Sequence, residues 1–341
     1  MLFVASALGL ALASSCGSAT DVETSAGLDS NGLRIPASPL QGQRAATVAL
    51  PVGLVEMSGA GDVKQRIAVL SPEASEWSER DVAGLAGSLP IAQGLAMDGA
   101  GYLAGQVCRR PVESEAVGLE CTDGGLQIVT IEADSAVAGD LSEPPFPIEH
   151  KWGFRSVTPS PGAIDIEVES YLTGEVKLMR YSLKSASWST FPIATSSANL
   201  ACTDGSLLEP DEAAALTASI AGATVRSCTE TTAALDALGG AAFAVNRRTG
   251  ERSELIASSS DAPQLIVLGD SVVLLNRSIA EDKSDPTGFK TTTNIQGFRS
   301  GREFDLGVST SDMAAASSLL YGYGSTGWVM ANDGSWIRFS T

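Results

Sequence analysis

Apolar and polar residues alternate with a period of two over many short stretches of the chain, as expected for half-buried β-strands. In one recurring unit an alternating strand is followed by a polar turn and a second short strand, the pattern of a β-hairpin. This unit occurs at 66–82, 126–141, 178–193 and 241–256, and more weakly at 294–308.

A second recurring unit consists of two apolar strands separated by a turn that contains glycine. The pairs Asp-Gly, Pro-Gly and Gly-Asp give the backbone the freedom that a tight hairpin turn requires. This unit occurs at 94–107, 155–168, 199–208, 264–276 and 318–330.

The two units alternate, so the chain supplies four short antiparallel strands roughly every 50 to 60 residues, a period typical of β-propeller blades. We therefore predict an all-β fold, a propeller of about six four-stranded blades. Seven blades is the alternative count, and a β-sandwich with long insertions is the alternative fold. The segments "TVALPVGLVEM" (47–57) and "SWIRF" (335–339) are left over, and we expect them to share a blade and close the ring.

The repeat resembles the Kelch type of propeller repeat. Trp77 and Trp188 follow a strand and a polar turn, as the Kelch tryptophan does, and "GYLAG" (101–105) stands where Kelch repeats have a glycine-ended strand. The resemblance implies propeller architecture for residues 45–341 and no particular function. We interpret both tryptophans as packed between blades rather than as platforms for a ligand.

The cysteines indicate disulfides. Apart from Cys16 there are four, an even number that is typical of two disulfides in an oxidising compartment. Of the three pairings, the spacing favours Cys108 with Cys121 and Cys202 with Cys228, because each pair closes a loop within one local unit. Zinc binding is the alternative, but it prefers short C-x2-C spacings, which the sequence lacks.

The second cysteine pair encloses the longest insertion, for which we predict helix near 210–239. Pro210 and the acidic residues after it favour a helix start at 210–220. A further helical turn is predicted at 229–240, where Gly239 and Gly240 would end it.

The N-terminal region is typical of an exported protein. Residues 2–13 carry no charge, which suits the core of a signal peptide and is short for a membrane span. The residues "ASSC" (13–16) resemble the lipobox of bacterial lipoproteins, which implies a signal peptide at 1–15 and a lipid on Cys16. Cleavage near Ser15 as an ordinary signal peptide is the alternative. Residues 16–43 are small and polar and are interpreted as a flexible linker before a propeller domain at 44–341.

Charge limits the partners. With 22 Lys and Arg against 40 Asp and Glu, the net charge is -18, which disfavours nucleic acid. The same charge repels anionic lipid headgroups, so we expect membrane attachment only through the anchor at Cys16. We expect a monomer in the bacterial cell envelope.

Catalytic signals are few. His150 is the sole histidine and no G-x-S-x-G motif provides a nucleophile, so a structural role is expected for it. The "GDS" of 269–271 resembles the nucleophile block of one lipase family, but that family needs a later histidine, so we interpret it as a hairpin turn.

Carboxylates are the remaining candidates for catalytic or cation-binding groups. Asp165, Glu167 and Glu169 share one face of a strand, where they would repel one another unless solvated or shared with a cation. Glu281, Asp282 and Asp285 lie in one loop that lacks the spacing of a known calcium loop, so we interpret them as solvated. No catalytic residue, cofactor or metal is predicted.

The function that these observations favour is a lipid-anchored, non-catalytic binding or scaffold module for an envelope protein, a peptide or a glycan. The alternative is a glycan-directed hydrolase or lyase that uses paired carboxylates in the propeller mouth, since such enzymes need no histidine.

Overall fold

The computed structural model is a nearly all-β ring of four-stranded antiparallel sheets with one short helix. It describes residues 32–42, 44–58, 65–86, 88–97, 99–108, 111–114, 118–121, 124–140, 142, 152–160, 162–170, 173–191, 200–256, 263–281, 289–309 and 319–341. Cys16, His150, Asp282 and Asp285 lie outside these residues, as do the predicted signal peptide and most of the predicted linker. None of the helices in the described residues is long and apolar enough to cross a membrane.

The described part of the chain begins with a strand of the last blade, β1 (Gly32–Ile35), and then forms three full blades. The first blade consists of β2 (Arg44–Leu50), β3 (Gly53–Ser58), β4 (Arg66–Leu70) and β5 (Ser78–Asp81). The second blade starts with β6 (Ser88–Met97) and β7 (Ala100–Cys108), continues through a separate hairpin, β8 (Pro111–Ser114) and β9 (Gly118–Cys121), and ends with β10 (Gly124–Ile131) and β11 (Ala136–Ala138). The third blade consists of β12 (Trp152–Ser160), β13 (Ala163–Ser170), β14 (Val176–Ser182) and β15 (Ser187–Phe191).

A smaller unit follows, which we call the short blade. It consists of the two-stranded hairpin β16 (Leu200–Ala201) and β17 (Leu207–Leu208) and the helix α1 (Pro210–Thr217). Pro210 has no backbone N–H to donate to a strand ladder, and Asp211 and Glu212 favour a helix start, so the chain turns helical where another blade would continue.

Three full blades complete the chain. The fourth consists of β18 (Thr224–Cys228), β19 (Thr232–Asp236), β20 (Ala242–Asn246) and β21 (Arg252–Ile256). The fifth consists of β22 (Gln264–Leu268), β23 (Ser271–Glu281), β24 (Phe289–Arg299) and β25 (Arg302–Phe304). The sixth consists of β26 (Leu320–Tyr323), β27 (Thr326–Met330), β28 (Trp336–Ser340) and β1.

The first strands of the blades form the inner ring. Their order is β2, β6, β12, β16, β18, β22 and β26, and β26 returns to contact β2. The strand β16 of the short blade lies between β12 and β18. The described residues therefore form six full blades and a seventh ring position that the short blade occupies, which accounts for both predicted blade counts.

The ring is closed by the two ends of the described chain, but with a different N-terminal strand from the predicted one. Strand β1 pairs antiparallel with β28, from Gly32 opposite Phe339 to Ile35 opposite Trp336. Residues 335–339 do belong to the closing blade, whereas 47–57 form β2 and β3 of the first blade. The predicted linker thus contains a strand at its end. Its sequence, "GLRI", is too short to show an alternating pattern, although Ile35 is fully buried.

The insertion also differs from its prediction. The helix at 210–220 is confirmed as α1, but 229–240 forms β19 and a single 3-10 turn at Leu238–Gly240. Ala233, Ala234 and Leu235 are fully buried because β19 packs on both faces, and this packing overrides the helix propensity of an alanine-rich segment. The predicted hairpin at 199–208 exists but belongs to the short blade, and it does not share a sheet with 241–256.

Buried apolar side chains fill the spaces between neighbouring blades. Clusters lie between the first and second, second and third, fourth and fifth, fifth and sixth, and sixth and first blades. A further cluster joins the short blade to the fourth blade. Among the described residues, no such cluster lies between the third blade and the short blade, and we call this space the open seam.

Candidate functional site: the short blade and the open seam

The short blade is covalently joined to the fourth blade. The structure contains the disulfide Cys202–Cys228, whose cysteines lie beside the inner strands β16 and β18. The other predicted pair stays a prediction, because the side chains of Cys108 and Cys121 lie outside the description. Their backbones end β7 and β9, as the blade assignment requires.

The turn of the β16–β17 hairpin, residues 203–206, reaches across the central channel, and we call it the plug. The Thr203 N–H donates a hydrogen bond to the Cys228 carbonyl (2.9 Å), the Thr203 hydroxyl donates to the Val267 carbonyl, and the Gly324 N–H donates to the Thr203 carbonyl (2.8 Å). A Cβ atom at Gly205 would lie 3.1 Å from the Tyr323 hydroxyl and 3.9 Å from the Ala96 carbonyl. The plug therefore contacts the fourth, fifth and sixth blades, and Gly205 lies close to the inner strands of the sixth and second blades.

Electrostatics hold the plug in place. One Asp204 carboxylate oxygen accepts hydrogen bonds from the N–H and hydroxyl of Ser206, at 3.0 and 2.6 Å, and the other accepts from the Glu230 N–H at 2.6 Å. Partial burial alone would raise the pKa of Asp204, but these hydrogen bonds outweigh it and lower the pKa. Burial, together with the negative charge of Asp204, raises the pKa of Tyr323.

A buried arginine fixes the helix. The Arg247 guanidinium donates to both carboxylate oxygens of Glu212 at 2.8 Å, to the Thr229 carbonyl at 2.6 Å and to the Leu207 carbonyl at 3.1 Å. Its hydrogen bonds are the main reason that the pKa of Glu212 is lowered. The start of α1 is thereby tied to β20 and to β17, so this network has a structural role.

The open seam is bordered by a polar sheet face. Asp165, Glu167 and Glu169 lie on the face of β13 opposite the apolar cluster shared with the second blade, which confirms that they share one side of a strand. Arg180, directly across from Asp165 on β14, donates two hydrogen bonds to its carboxylate at 2.6 and 2.8 Å. The hydrogen bond with Asp165 raises the pKa of Arg180. The negative charge of Asp165 is therefore compensated by Arg180. Glu167 and Glu169 follow on the same face of the strand.

The helix α1 packs on the fourth blade with one face. No residue of this helix is buried. Ala213 and Leu216 pack toward the fourth blade, whereas Asp211, Ala214 and Ala215 are exposed. The helix thus covers the fourth blade with one face and presents small side chains on the other.

The remaining candidates have structural roles. Gly269 forms the predicted turn between β22 and β23, and Ser271 is fully buried, where its hydroxyl accepts a hydrogen bond from Arg299 at 3.1 Å. Trp77 packs in the cluster between the sixth and first blades and donates to the Pro36 carbonyl at 2.9 Å. Trp188 packs against Tyr181, with 5.1 Å between ring centroids. Both tryptophans lie between blades, as predicted.

The described part of the chain contains no group of three or more His, Cys, Asp or Glu side chains arranged to hold a metal ion.

Sequence reasoning missed the Arg247 network and the open seam. The Arg247–Glu212 pair joins residues 35 positions apart in the chain, and no local pattern indicates such a contact. The seam exists because the chain forms a helix instead of a further strand at residues 209–212. A local sequence pattern does not show which blades lie on either side of it.

Comparisons with known proteins add only the general likeness of fold. No protein-family model matches the chain, and no curated protein matches it. Among solved structures, the computationally designed protein Ika8 is 13% identical over 90% of this chain and 98% of its own, with a TM-score of 0.40. The WD40 β-propeller domain of Doa1 is 12% identical over 88% and 97%, with a TM-score of 0.33.

A sialidase of Trypanosoma rangeli, solved with the inhibitor DANA, is 11% identical over 87% of this chain, with a TM-score of 0.36. This chain spans only 54% of the sialidase chain. At these scores none of the similarities supports a function, and the assignment to the β-propellers follows from the molecule's own sheets and the closed order of its inner strands.

Proposed function

We propose that the protein is a non-catalytic binding module whose partner docks beside the short blade. The observation that carries this proposal is the interruption of an otherwise regular ring at one position. The disulfide, the plug and the Arg247–Glu212 pair hold that position rigidly. Propeller scaffolds place irregular segments on a rigid frame, and such segments are where binding residues concentrate.

The rigidity of the short blade supports binding. When a partner docks on a surface that is already rigid, no conformational entropy is lost in ordering that surface, so binding is tighter.

The proposed location is the bacterial cell envelope, with a lipid on Cys16 as the only attachment to a membrane. The supporting observations are the lipobox-like "ASSC" and the Cys202–Cys228 disulfide, a bond that persists in oxidising compartments. The partner is then an envelope protein, a peptide or a glycan, and the protein acts as a monomer.

The test of binding is site-specific photo-crosslinking in the native cell. A photoreactive amino acid replaces Ala215, an exposed residue of α1, and in a matched variant it replaces Ser75, an exposed residue between β4 and β5. A discrete adduct at 215 that is absent at 75 supports the proposal. Equal adducts at both positions, or none at 215, would contradict it.

The lipid is tested separately by detergent-phase partitioning of protein expressed with an intact signal sequence. We expect partitioning into the detergent phase that Cys16→Ala abolishes. A soluble mature protein that Cys16→Ala does not change would refute the anchor.

A further inference from the structure

An exposed apolar residue lies on the face of the second blade that points toward the third blade. Val137 of β11 is 51% exposed, and it is one of two exposed large apolar side chains among the described residues. Its neighbours Ala136 and Ala138 pack toward the first blade, so Val137 points the other way. Across the sheet it lies in one row with Thr130 of β10 and Tyr102 of β7, and Tyr102 packs in the apolar cluster shared with the third blade. The third blade therefore leaves part of this face in contact with solvent.

The opposing face of the third blade carries an aromatic pair. Tyr181 of β14 and Trp188 of β15 lie opposite each other, with 5.1 Å between their ring centroids, and both pack at the edge of the same apolar cluster. The Trp188 indole N–H donates a hydrogen bond to the Ser142 hydroxyl at 2.9 Å, which ties the pair to the second blade. Tyr102, Tyr181 and Trp188 are each partly exposed. We call the space between the two faces the aromatic cleft and define it by Tyr102, Thr130, Val137, Tyr181 and Trp188.

The five side chains of the aromatic cleft are uncharged, and three of them carry hydroxyl groups with unused hydrogen-bonding capacity. The hydroxyls of Tyr102, Thr130 and Tyr181 form no hydrogen bond with any residue that the structure describes. A wholly apolar ligand would bury these hydroxyls without partners, which is unfavourable. A charged ligand group would lose its hydration and find no ion pair among the five side chains. The aromatic cleft therefore suits a neutral ligand that has both apolar surface and hydrogen-bonding groups.

From this arrangement we infer that the aromatic cleft binds a neutral glycan of N-acetylated sugars. The C–H face of a sugar ring packs on the Tyr181 ring, and the sugar hydroxyls bond to the tyrosine hydroxyls. The acetamido group combines a methyl group, which contacts Val137, with an amide, which bonds to the Thr130 hydroxyl. Trp188 is a positioning residue, because it packs against Tyr181 while its own N–H is held by Ser142. This inference goes beyond the proposed function, since the aromatic cleft and the short blade lie on opposite sides of the third blade.

The test uses a defined probe, triacetylchitotriose, a neutral trisaccharide of N-acetylglucosamine. Its binding to the full-length protein is measured by titration calorimetry. We expect cellotriose, which lacks the acetamido groups, to bind at least about tenfold more weakly, because it loses the contacts with Val137 and Thr130. Tyr181→Phe keeps the ring and removes one hydrogen bond, so it should weaken binding of the acetylated probe about fivefold.

A matched pair of variants separates the aromatic cleft from the rest of the surface. Val137→Glu places a charge in the cleft and should weaken binding of triacetylchitotriose at least about tenfold. The control is Leu238→Glu, which makes the same kind of change at the other exposed large apolar residue, 75% exposed on the fourth blade, and should leave the affinity within about twofold. Both side chains are largely exposed, so both variants should fold, and thermal unfolding at the parent temperature checks this.

Three results would overturn the inference. They are no binding of triacetylchitotriose to the parent protein at about 10 mM, equal losses of affinity in Val137→Glu and Leu238→Glu, and equal affinity for the acetylated and unacetylated trisaccharides. None of them changes the photo-crosslink at 215, which tests the proposed function alone. Loss of that crosslink with specific binding of triacetylchitotriose would refute the docking site beside the short blade and leave the glycan site supported.

Discussion

Arg247 and Glu212 form a two-fold hydrogen-bonded ion pair, with both contacts at 2.8 Å, that joins the end of β20 to the first turn of α1. The arginine side chain is only 8% exposed. The pair links the fourth blade to the one segment of the ring that is not a four-stranded sheet. The short blade is therefore held to the fourth blade by this contact as well as by the disulfide, and both can be tested.

Removing Arg247 should destabilise the protein strongly. Arg247→Ala removes the hydrogen bonds to Glu212 and to the Thr229 and Leu207 carbonyls, and because Glu212 is partly exposed to water we expect a loss of about 2 to 3 kcal/mol in the free energy of unfolding. Urea denaturation measures it. The control is Arg248→Ala, which removes an exposed pair with Glu230 and should cost less than about 1 kcal/mol. Similar losses in the two variants would show that the buried network is unimportant.

Stability should fall in acid, and Glu212 should account for part of the fall. Its pKa is below the ordinary value of 4.5 in the folded protein. A carboxyl with a lowered folded pKa contributes stability that is fully present above its unfolded value and is lost as the pH falls through its folded value. Glu212→Gln should therefore flatten the pH dependence of the urea midpoint below about pH 4.5. An identical acid profile in parent and variant would contradict this assignment.

Opening the disulfide should release the plug. Cys202→Ala/Cys228→Ala removes a crosslink between residues 26 positions apart, which on the loop-entropy model costs about 3.5 kcal/mol. The Tyr323 pKa, raised by burial and by Asp204, should then move down toward its ordinary value. Ultraviolet titration of tyrosinate measures the shift, with Tyr323→Phe to assign the signal. An unchanged Tyr323 titration in the variant would mean that the plug keeps its place without the disulfide.

Ring closure by β1 should be visible in single substitutions. Ile35 is fully buried beside Trp328 and Trp336, so Ile35→Ala should cost about 2 to 5 kcal/mol. Arg34, the preceding residue, points away and pairs with Asp333 at the surface, so Arg34→Ala should cost less than about 1 kcal/mol. Calorimetric unfolding compares the two. If Ile35→Ala unfolds with the parent, β1 does not close the ring.

The repeated hairpins could be predicted from sequence because each is a local pattern. Alternating residues and a glycine turn lie within about 15 residues, and the strands pair with their neighbours in the chain. The closing strand could not be found in this way, since Gly32–Ile35 pairs with residues some 300 positions later and its four residues show no period. Residues 232–236 could not be predicted as a strand either. The segment is rich in alanine, and only its burial on both faces favours a strand over a helix.

The candidate site was predicted only in its parts. That Asp165, Glu167 and Glu169 share a face follows from the period of a strand, and the structure confirms it. The neighbour of that face in the ring is the short blade. The short blade has a helix in place of further strands because one proline and two acidic residues start α1. The partner of Glu212 depends on the same tertiary arrangement.

Amide hydrogen–deuterium exchange of the full-length protein and of its Cys202→Ala/Cys228→Ala variant tests the central claim, a short blade held rigidly in the ring, most directly. We predict slow exchange at residues 200–208 in the parent, faster exchange there in the variant, and no change in β4 and β5 of the first blade. Exchange at 200–208 that is already fast in the parent would contradict a rigid short blade.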